Sequence, residues 1–185
     1  AKDLMLVILR DFATANATLG RAMEFGGPGL ASLSPDERAT LCNMATECSA
    51  RTAICEADEL LKEWIADKRQ GGDRVCPPER MIAPDPGARY DGGVHIIDLS
   101  RIVPMLAHPG DPERGIPSDP TNGIAVSDIG DVAIDIAYGG SCTAGKIDDM
   151  AFYADVCASE HAKGRKVADG VRFYIQFGSE SVRAH

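Results

Sequence analysis

Apolar residues fall in short blocks along the chain, separated by Gly- and Pro-rich punctuation, and the spacing within each block predicts an element. Leu4 to Phe12 is apolar on all sides, which predicts a buried helix first and a strand second, since periodicity alone does not separate them. Leu19 to Phe25 predicts a short strand, ended by a turn at Gly26-Gly27-Pro28-Gly29. Ser34, Pro35 and Glu37 have the order of a capping box with proline at the first helical position. A helix is expected from Pro35 to about Ala50, with Leu41, Met44, Ala45 and Cys48 as its apolar stripe. Another is expected over Glu56 to Lys68, carrying Leu60, Leu61, Trp64 and Ile65 inward. Gln70 to Tyr90 reads as irregular surface chain, including Gly71-Gly72-Asp73, and Val94 to Leu99 as a strand. Pro104 to Asn122, with Pro109, Pro112, Pro117 and Pro120, reads as a linker. A domain boundary near residue 121 then divides the chain into 1–121 and 122–185. In the second part a strand (Asp131 to Tyr138), a small-residue turn (Gly139 to Gly145), an amphipathic helix (Lys146 to Ala162) and a strand (Val171 to Phe177) make a βαβ unit, so a parallel sheet with a right-handed crossover is expected. The helix carries Ile147, Met150, Ala151, Ala154, Cys157 and Ala158 on one face, and a further helix starts after Gly178-Ser179-Glu180.

Composition narrows the classes. The 185 residues include 19 Lys+Arg and 28 Asp+Glu, a formal charge of −9, which argues against nucleic-acid and anionic-membrane surfaces. No stretch approaches the roughly 20 apolar residues of a membrane span, and the N-terminus lacks the order of a secretory signal, so a cytoplasmic location is expected. The absent initiator Met suggests a processed chain or a piece of a longer one. Six cysteines (Cys42, Cys48, Cys55, Cys76, Cys142, Cys157) include no Cys-x-x-Cys, and four histidines include no helical pair, which leaves zinc ribbons and thioredoxin-type sites without support.

Two places invite chemistry. Asn43, Glu47 and Arg51 fall at i, i+4 and i+8 on a predicted helix and present either a polar functional row or a solvated face with a Glu47–Arg51 ion pair. Cys142 lies where a parallel strand ends and a helix begins, the position at which open α/β sheets bind ligands and at which a thiol pKa is lowered. The same small residues also serve tight strand-to-helix packing, and they match neither the dinucleotide nor the P-loop spacing.

Several segments together carry a resemblance. Gly140-Ser141-Cys142-Thr143-Ala144-Gly145 resembles the Gly-Ser-Cys-Thr-Asn segment of the aconitase superfamily, which includes the large subunit of 3-isopropylmalate dehydratase and homoaconitase. Leu41-Cys42-Asn43-Met44-Ala45-Thr46-Glu47 is similar to the family's Ile-Cys-Asn-Met-x-x-Glu segment. Asp85-Pro86-Gly87-Ala88-Arg89-Tyr90-Asp91, Ile97-Asp98-Leu99-Ser100 and Gly178-Ser179-Glu180 resemble further family segments in the same order. The resemblance implies a layered α/β/α core with mainly parallel sheets, and a [4Fe–4S] cluster held by three cysteines with one iron open to substrate. It implies reversible dehydration of a hydroxy-polycarboxylate of the 3-isopropylmalate or homoaconitate type. Cys142 matches the first cluster cysteine and so is the implied metal ligand. Asn43 and Glu47 match an amide and a carboxylate of the cluster and substrate site, while Arg51 is expected to be structural.

The chain departs from the family pattern in ways that matter. Ala144 stands in place of the usual Asn and Lys146 in place of a common Arg. The Cys-x-x-Cys that supplies the other two ligands, the N-terminal Asp-His pair and the mobile domain with its catalytic serine all lie outside these 185 residues. The expectation is therefore the middle portion of a hydro-lyase large subunit, inactive and cluster-free by itself, whose partners are the hydroxy-acid substrate and a small swivel-domain subunit or missing domains of the same protein. Two alternatives stand beside it. One is a stand-alone, non-catalytic module that binds a carboxylate or a partner subunit through the same surface. The other is a cysteine nucleophile at Cys142, for which His95, His108 and His161 are the available bases.

Overall fold

A computed structural model describes residues 1–13, 16–72, 75–115, 119 and 122–185. Asp73 of the predicted surface stretch, Pro117 and Pro120 of the predicted linker, and residue 121, where the boundary is expected, lie outside the described residues. The chain forms two compact units, Ala1–Asp128 and Ile129–His185. The architecture is α/β, and among the described residues two of the three strand pairs are parallel.

In the first unit the apolar N-terminal block is indeed a buried helix. Helix α1 (Lys2–Ile8) continues through a wider π-helical turn (Leu9–Ala13), and Leu4, Met5, Ile8 and Leu9 are buried. They pack with Leu41, Met44 and Cys48 into one core. Strand β1 (Ala22–Phe25) pairs in parallel with β2 (Thr52–Cys55), from Ala22 opposite Thr52 to Phe25 opposite Cys55. Between them lies α2 (Pro35–Met44), started by the predicted capping box: Glu37 N–H donates to Ser34 Oγ, and Ser34 N–H donates to the Glu37 carboxylate. Helix α3 (Glu59–Gln70) follows β2 and buries Ile65, whereas Trp64 stays partly exposed beneath the Lys68 ammonium.

Three expectations are corrected here. Helix α2 ends at Met44, not near Ala50, because tertiary bonds take over the backbone beyond it. The Cys48 carbonyl accepts from Thr18 Oγ1, the Ser49 carbonyl accepts from Gly20 N–H, and Arg51 N–H donates to the Arg21 carbonyl. Ser49, past the end of the helix, adopts φ 59 shortly before the chain enters β2. Val94 to Leu99 forms no strand: Val94 is 76% and Ile96 94% exposed, and the Asp98 carboxylate accepts from Ser100 N–H and Oγ to start a 3-10 turn at Leu99–Arg101. Ile97, Leu99 and Ile102 pack instead against the core. The stretch read as linker carries β3 (Met105–Ala107), antiparallel to β4 (Gly123–Ala125), and Met105 N–H donates to the Asp3 carboxylate at the start of α1.

Arg38 on α2 is only 3% exposed, and each of its three guanidinium nitrogens donates a hydrogen bond. It donates from Nη1 and Nη2 to the two Asp58 carboxylate oxygens, each at 2.7 Å, from Nε to the Leu33 carbonyl and from Nη2 to the Leu30 carbonyl. Asp58 also caps α3, accepting from Leu61 N–H. The Arg38 hydrogen bonds hold the Asp58 carboxyl down to about 2.

The second unit is the predicted βαβ arrangement. Strand β5 (Ile136–Gly140) is followed by a single helical turn α4 (Ser141–Ala144), then by α5 (Ile147–Ala162) and by β6 (Arg172–Gln176), which pairs in parallel with β5. Helix α6 (Glu180–Ala184) is capped by Ser179. The small-residue turn therefore divides: Gly139 and Gly140 end the strand and Ser141 to Ala144 coil once. The expected apolar face of α5 exists in sequence but no residue of α5 is buried.

Removing the carboxylate from the Arg38 pair leaves a buried guanidinium unsatisfied. Asp58→Asn is expected to cost about 3 kcal/mol, read as a lower urea midpoint with unchanged slope. Because the native Asp58 carboxyl is depressed, its contribution is complete above the ordinary carboxyl range and is lost as pH falls from about 4 towards 2. The wild-type chain should lose stability over that window, and Asp58→Asn should show a smaller loss.

Candidate functional site

The candidate residues are presented by two turns, one in each unit. In the first, the apolar spacing that predicted a longer helix still operates after α2 has ended. Leu41, Met44, Ala45 and Cys48 are all buried, and they leave Asn43, Thr46 and Glu47 exposed on the opposite side. Consecutive turns, with Glu47 N–H donating to the Met44 carbonyl and Ser49 N–H to the Thr46 carbonyl, carry the chain over this surface. Asn43 thus sits in the last turn of α2 and Glu47 three residues beyond its end. The helical row Asn43–Glu47–Arg51 is a correction: Arg51 belongs to the approach to β2, and no ion pair joins it to Glu47. Cys48, at 1% exposure, is a core residue, its thiol pushed up to about 11 by burial and by the Glu47 carboxylate.

In the second unit the turn around Cys142 is built by close backbone approach. Gly140 takes φ 114, and a Cβ there would collide with the Gln176 carbonyl of the neighbouring strand. A Cβ at Gly145 would meet the Ser141 carbonyl and, at 2.6 Å, the Gly178 nitrogen. Gly178 N–H donates to the Gly145 carbonyl at 2.7 Å, so the tip of β6 is bonded to the end of the cysteine turn. Ser141, immediately before the cysteine, has φ 69, a left-handed conformation that costs a non-glycine residue about 1 kcal/mol.

Cys142 is exposed, with its sulfur 3.9 Å from Ser141 Oγ and 3.8 Å from Thr143 Oγ1. It does not head the long helix as expected. It lies in the four-residue α4, and α5 begins five residues after it, where Lys146 N–H donates to the Asp149 carboxylate. Two side chains hold this turn: Lys146, noted in the sequence only as a departure from the family pattern, and Tyr153, not singled out there. Lys146 Nζ donates to the Thr143 carbonyl at 2.5 Å and pairs with Asp149 at 3.1 Å; Tyr153 Oη donates to the Ala144 carbonyl at 3.2 Å. The Tyr153 ring covers Gly139, where a Cβ would lie 3.1 Å from it, and burial raises the phenol pKa. The signal was present in the spacing: Lys146 and Tyr153 are seven apart, two helical turns on one face.

The whole chain, residues 1–185, matches the family profile described as Aconitase family (aconitate hydratase). The chain belongs to the aconitase family. This aconitase-family chain is 35% identical over 181 residues to the 3-isopropylmalate dehydratase large subunit of Campylobacter concisus (strain 13826), a match covering 98% of the chain and 39% of that protein. It is 33% identical over 211 residues to the protein of the same name from Campylobacter jejuni subsp. jejuni serotype O:23/36 (strain 81-176), covering 99% and 44% respectively. The chain thus spans about two fifths of the length of the curated relatives it matches. No helix among the described residues is long and apolar enough to cross a membrane.

A three-thiolate cluster site is not assembled here. Among the described residues no group of three or more His, Cys, Asp and Glu side chains has metal-holding geometry. Cys142 is exposed, on a turn whose end is tied to Gly178 by a backbone hydrogen bond. Cys48 is sealed in the core, Cys42 and Cys55 face each other inside the first unit, and Cys76 and Cys157 are exposed away from any such group. One thiolate does not hold a cluster, so these residues alone do not fit it.

Adding a methyl group at Gly145 tests how firmly this turn is held. In Gly145→Ala the backbone contact with Gly178 must open, and amide exchange at Gly178 is expected to quicken about tenfold, or about 1.4 kcal/mol, while core amides of α1 and α2 are unchanged. Unchanged exchange at Gly178 would contradict the packing described.

Proposed function

We propose that this chain is part of a hydro-lyase large subunit that reversibly dehydrates a hydroxy-polycarboxylate of the 3-isopropylmalate or homoaconitate type, in the cytoplasm. The observation that carries the reading is the match to 3-isopropylmalate dehydratase large subunits over 98–99% of the chain. In this reading Cys142 supplies one of three thiolates to a [4Fe–4S] cluster, and the other two come from outside these 185 residues. Such a cluster brings Lewis acidity to the substrate hydroxyl and carboxylate.

The remaining roles belong to this chain's own side chains. Glu47, an exposed carboxylate on a turn anchored by buried neighbours, accepts a hydrogen bond from the substrate hydroxyl or from the water being exchanged. Asn43, at the end of α2, contributes its amide to the same site. Arg51 stays outside the chemistry. A small swivel-domain subunit, or further domains of the same protein, is the partner of this reading. No catalytic step is assigned to the 185 residues alone, and the isolated chain is inactive.

The test uses the complete gene product, reconstituted with iron and sulfide and assayed by absorbance of the unsaturated acid. Glu47→Gln is expected to lower kcat about 100-fold with KM changed only a few-fold, whereas Arg51→Gln retains near-normal turnover. Wild-type kcat in Glu47→Gln would overturn the assignment. A complete gene product that takes up no cluster and turns over no hydroxy-acid would favour a non-catalytic carboxylate-binding or subunit-binding module.

A further inference from the structure

Cys42 on α2 and Cys55 at the end of β2 are thirteen residues apart in sequence, yet their sulfurs lie 3.8 Å from each other, both half-buried. The hydro-lyase reading uses neither thiol. Their separation is set by the fold: Cys55 is the last residue of a strand paired to β1, and Cys42 lies in the last turn of a helix whose Leu41 and Met44 are locked in the core. Cys55 Sγ also lies 3.8 Å from the Arg38 carbonyl, one turn up the same helix. No disulfide links any of the six cysteines.

We propose that Cys42 and Cys55 are a reversible dithiol–disulfide site that reacts with small disulfides of the glutathione type. The geometry provides the main reason, since the fold already holds the two sulfurs 3.8 Å apart, against about 2.0 Å in a disulfide. Electrostatics assigns the order. The Cys55 S–H is directed at the Arg38 carbonyl, and the contact between the two sulfurs holds Cys42 down to about 7 while it and burial push Cys55 up, so Cys42 is assigned as the attacking thiolate. The Cys42 thiolate attacks one sulfur of the small disulfide, forming a mixed disulfide and releasing one small thiolate. Cys55 then loses its proton to solvent and attacks the Cys42 sulfur, forming the Cys42–Cys55 bond and releasing the second. Two protein thiols are oxidised by two electrons and one small disulfide is reduced to two thiols. The remaining cysteines behave differently: Cys48 is sealed and neutral, while Cys76, Cys142 and Cys157 are exposed and take up the small thiol itself.

The experiment equilibrates the full chain, natively folded, with reduced and oxidised glutathione over a range of ratios, then quenches with acid, alkylates, digests and analyses by mass spectrometry. The expected result is a peptide pair linked through residues 42 and 55 at ratios where Cys76, Cys142 and Cys157 carry glutathione, reversed by excess reduced glutathione. The link should form at least about tenfold faster in the folded chain than in urea, because the fold supplies the proximity. Cys42→Ala should leave Cys55 unlinked and slow to react. Recovery of Cys42 and Cys55 as two separate glutathione adducts, or as free thiols while the exposed cysteines are saturated, overturns the proposal, as does a link that forms no faster folded than unfolded. None of these readouts depends on enzyme activity, so failure of the hydro-lyase reading leaves this test intact.

Discussion

Everything in the first unit is referred to one guanidinium that has been taken out of water. A charge buried to the extent of Arg38 is tolerable only if each of its arms is met, and the partners that meet them come from three places: the turn before α2, the segment of Leu30, and the N-cap of α3. The ion pair therefore fixes α2 relative to the end of β2, where Asp58 follows the strand by three residues. The exposed turn with Asn43 and Glu47 and the facing sulfurs of Cys42 and Cys55 both depend on that relation. Such a pair adds little net stability over a well-packed apolar substitute, but it makes any other placement of α2 costly.

The second unit rests on a different constraint, the close approach of main chain to main chain. Gly140, Gly145 and Gly178 bring the tips of β5 and β6 and the cysteine turn within hydrogen-bonding distance, and side chains at those positions have no room. Lys146 and Tyr153 then tie the carbonyls of the turn to the start of α5. The thiol is thus presented by a backbone with few alternatives, which suits a ligand position. The same unit leaves Phe152, Val156, Phe173 and Phe177 exposed.

Local chemistry was legible in the sequence wherever a few neighbouring residues decide the outcome. The capping box at Ser34, the buried first helix and the βαβ order around Cys142 are all of this kind. What sequence reading missed is decided at a distance. Helix α2 stops at Met44 because Thr18, Gly20 and Arg21 compete for its continuation, and nothing local to residues 45–50 announces them. Val94 and Ile96 have strand-like composition but no partner strand, and the Asp98 carboxylate captures the backbone instead. Met105–Ala107 pairs with Gly123–Ala125 across a Pro-rich stretch that locally reads as linker. For the site, spacing and position drew attention to Asn43, Glu47 and Cys142 but left each open to a structural role; their specific roles came from family resemblance, and the helical row does not extend to Arg51.

Family membership, an exposed carboxylate on an anchored turn and an exposed thiol on a glycine-built turn are the observations behind the proposed iron–sulfur hydro-lyase role. The claim turns on Cys142. Anaerobic reconstitution of the complete gene product with iron and sulfide, followed by the visible iron–sulfur absorbance, tests it most directly. The account predicts that Cys142→Ser abolishes the band while Cys157→Ser, the substitution of another exposed cysteine in the same unit, leaves it intact; a full cluster band in Cys142→Ser would contradict it.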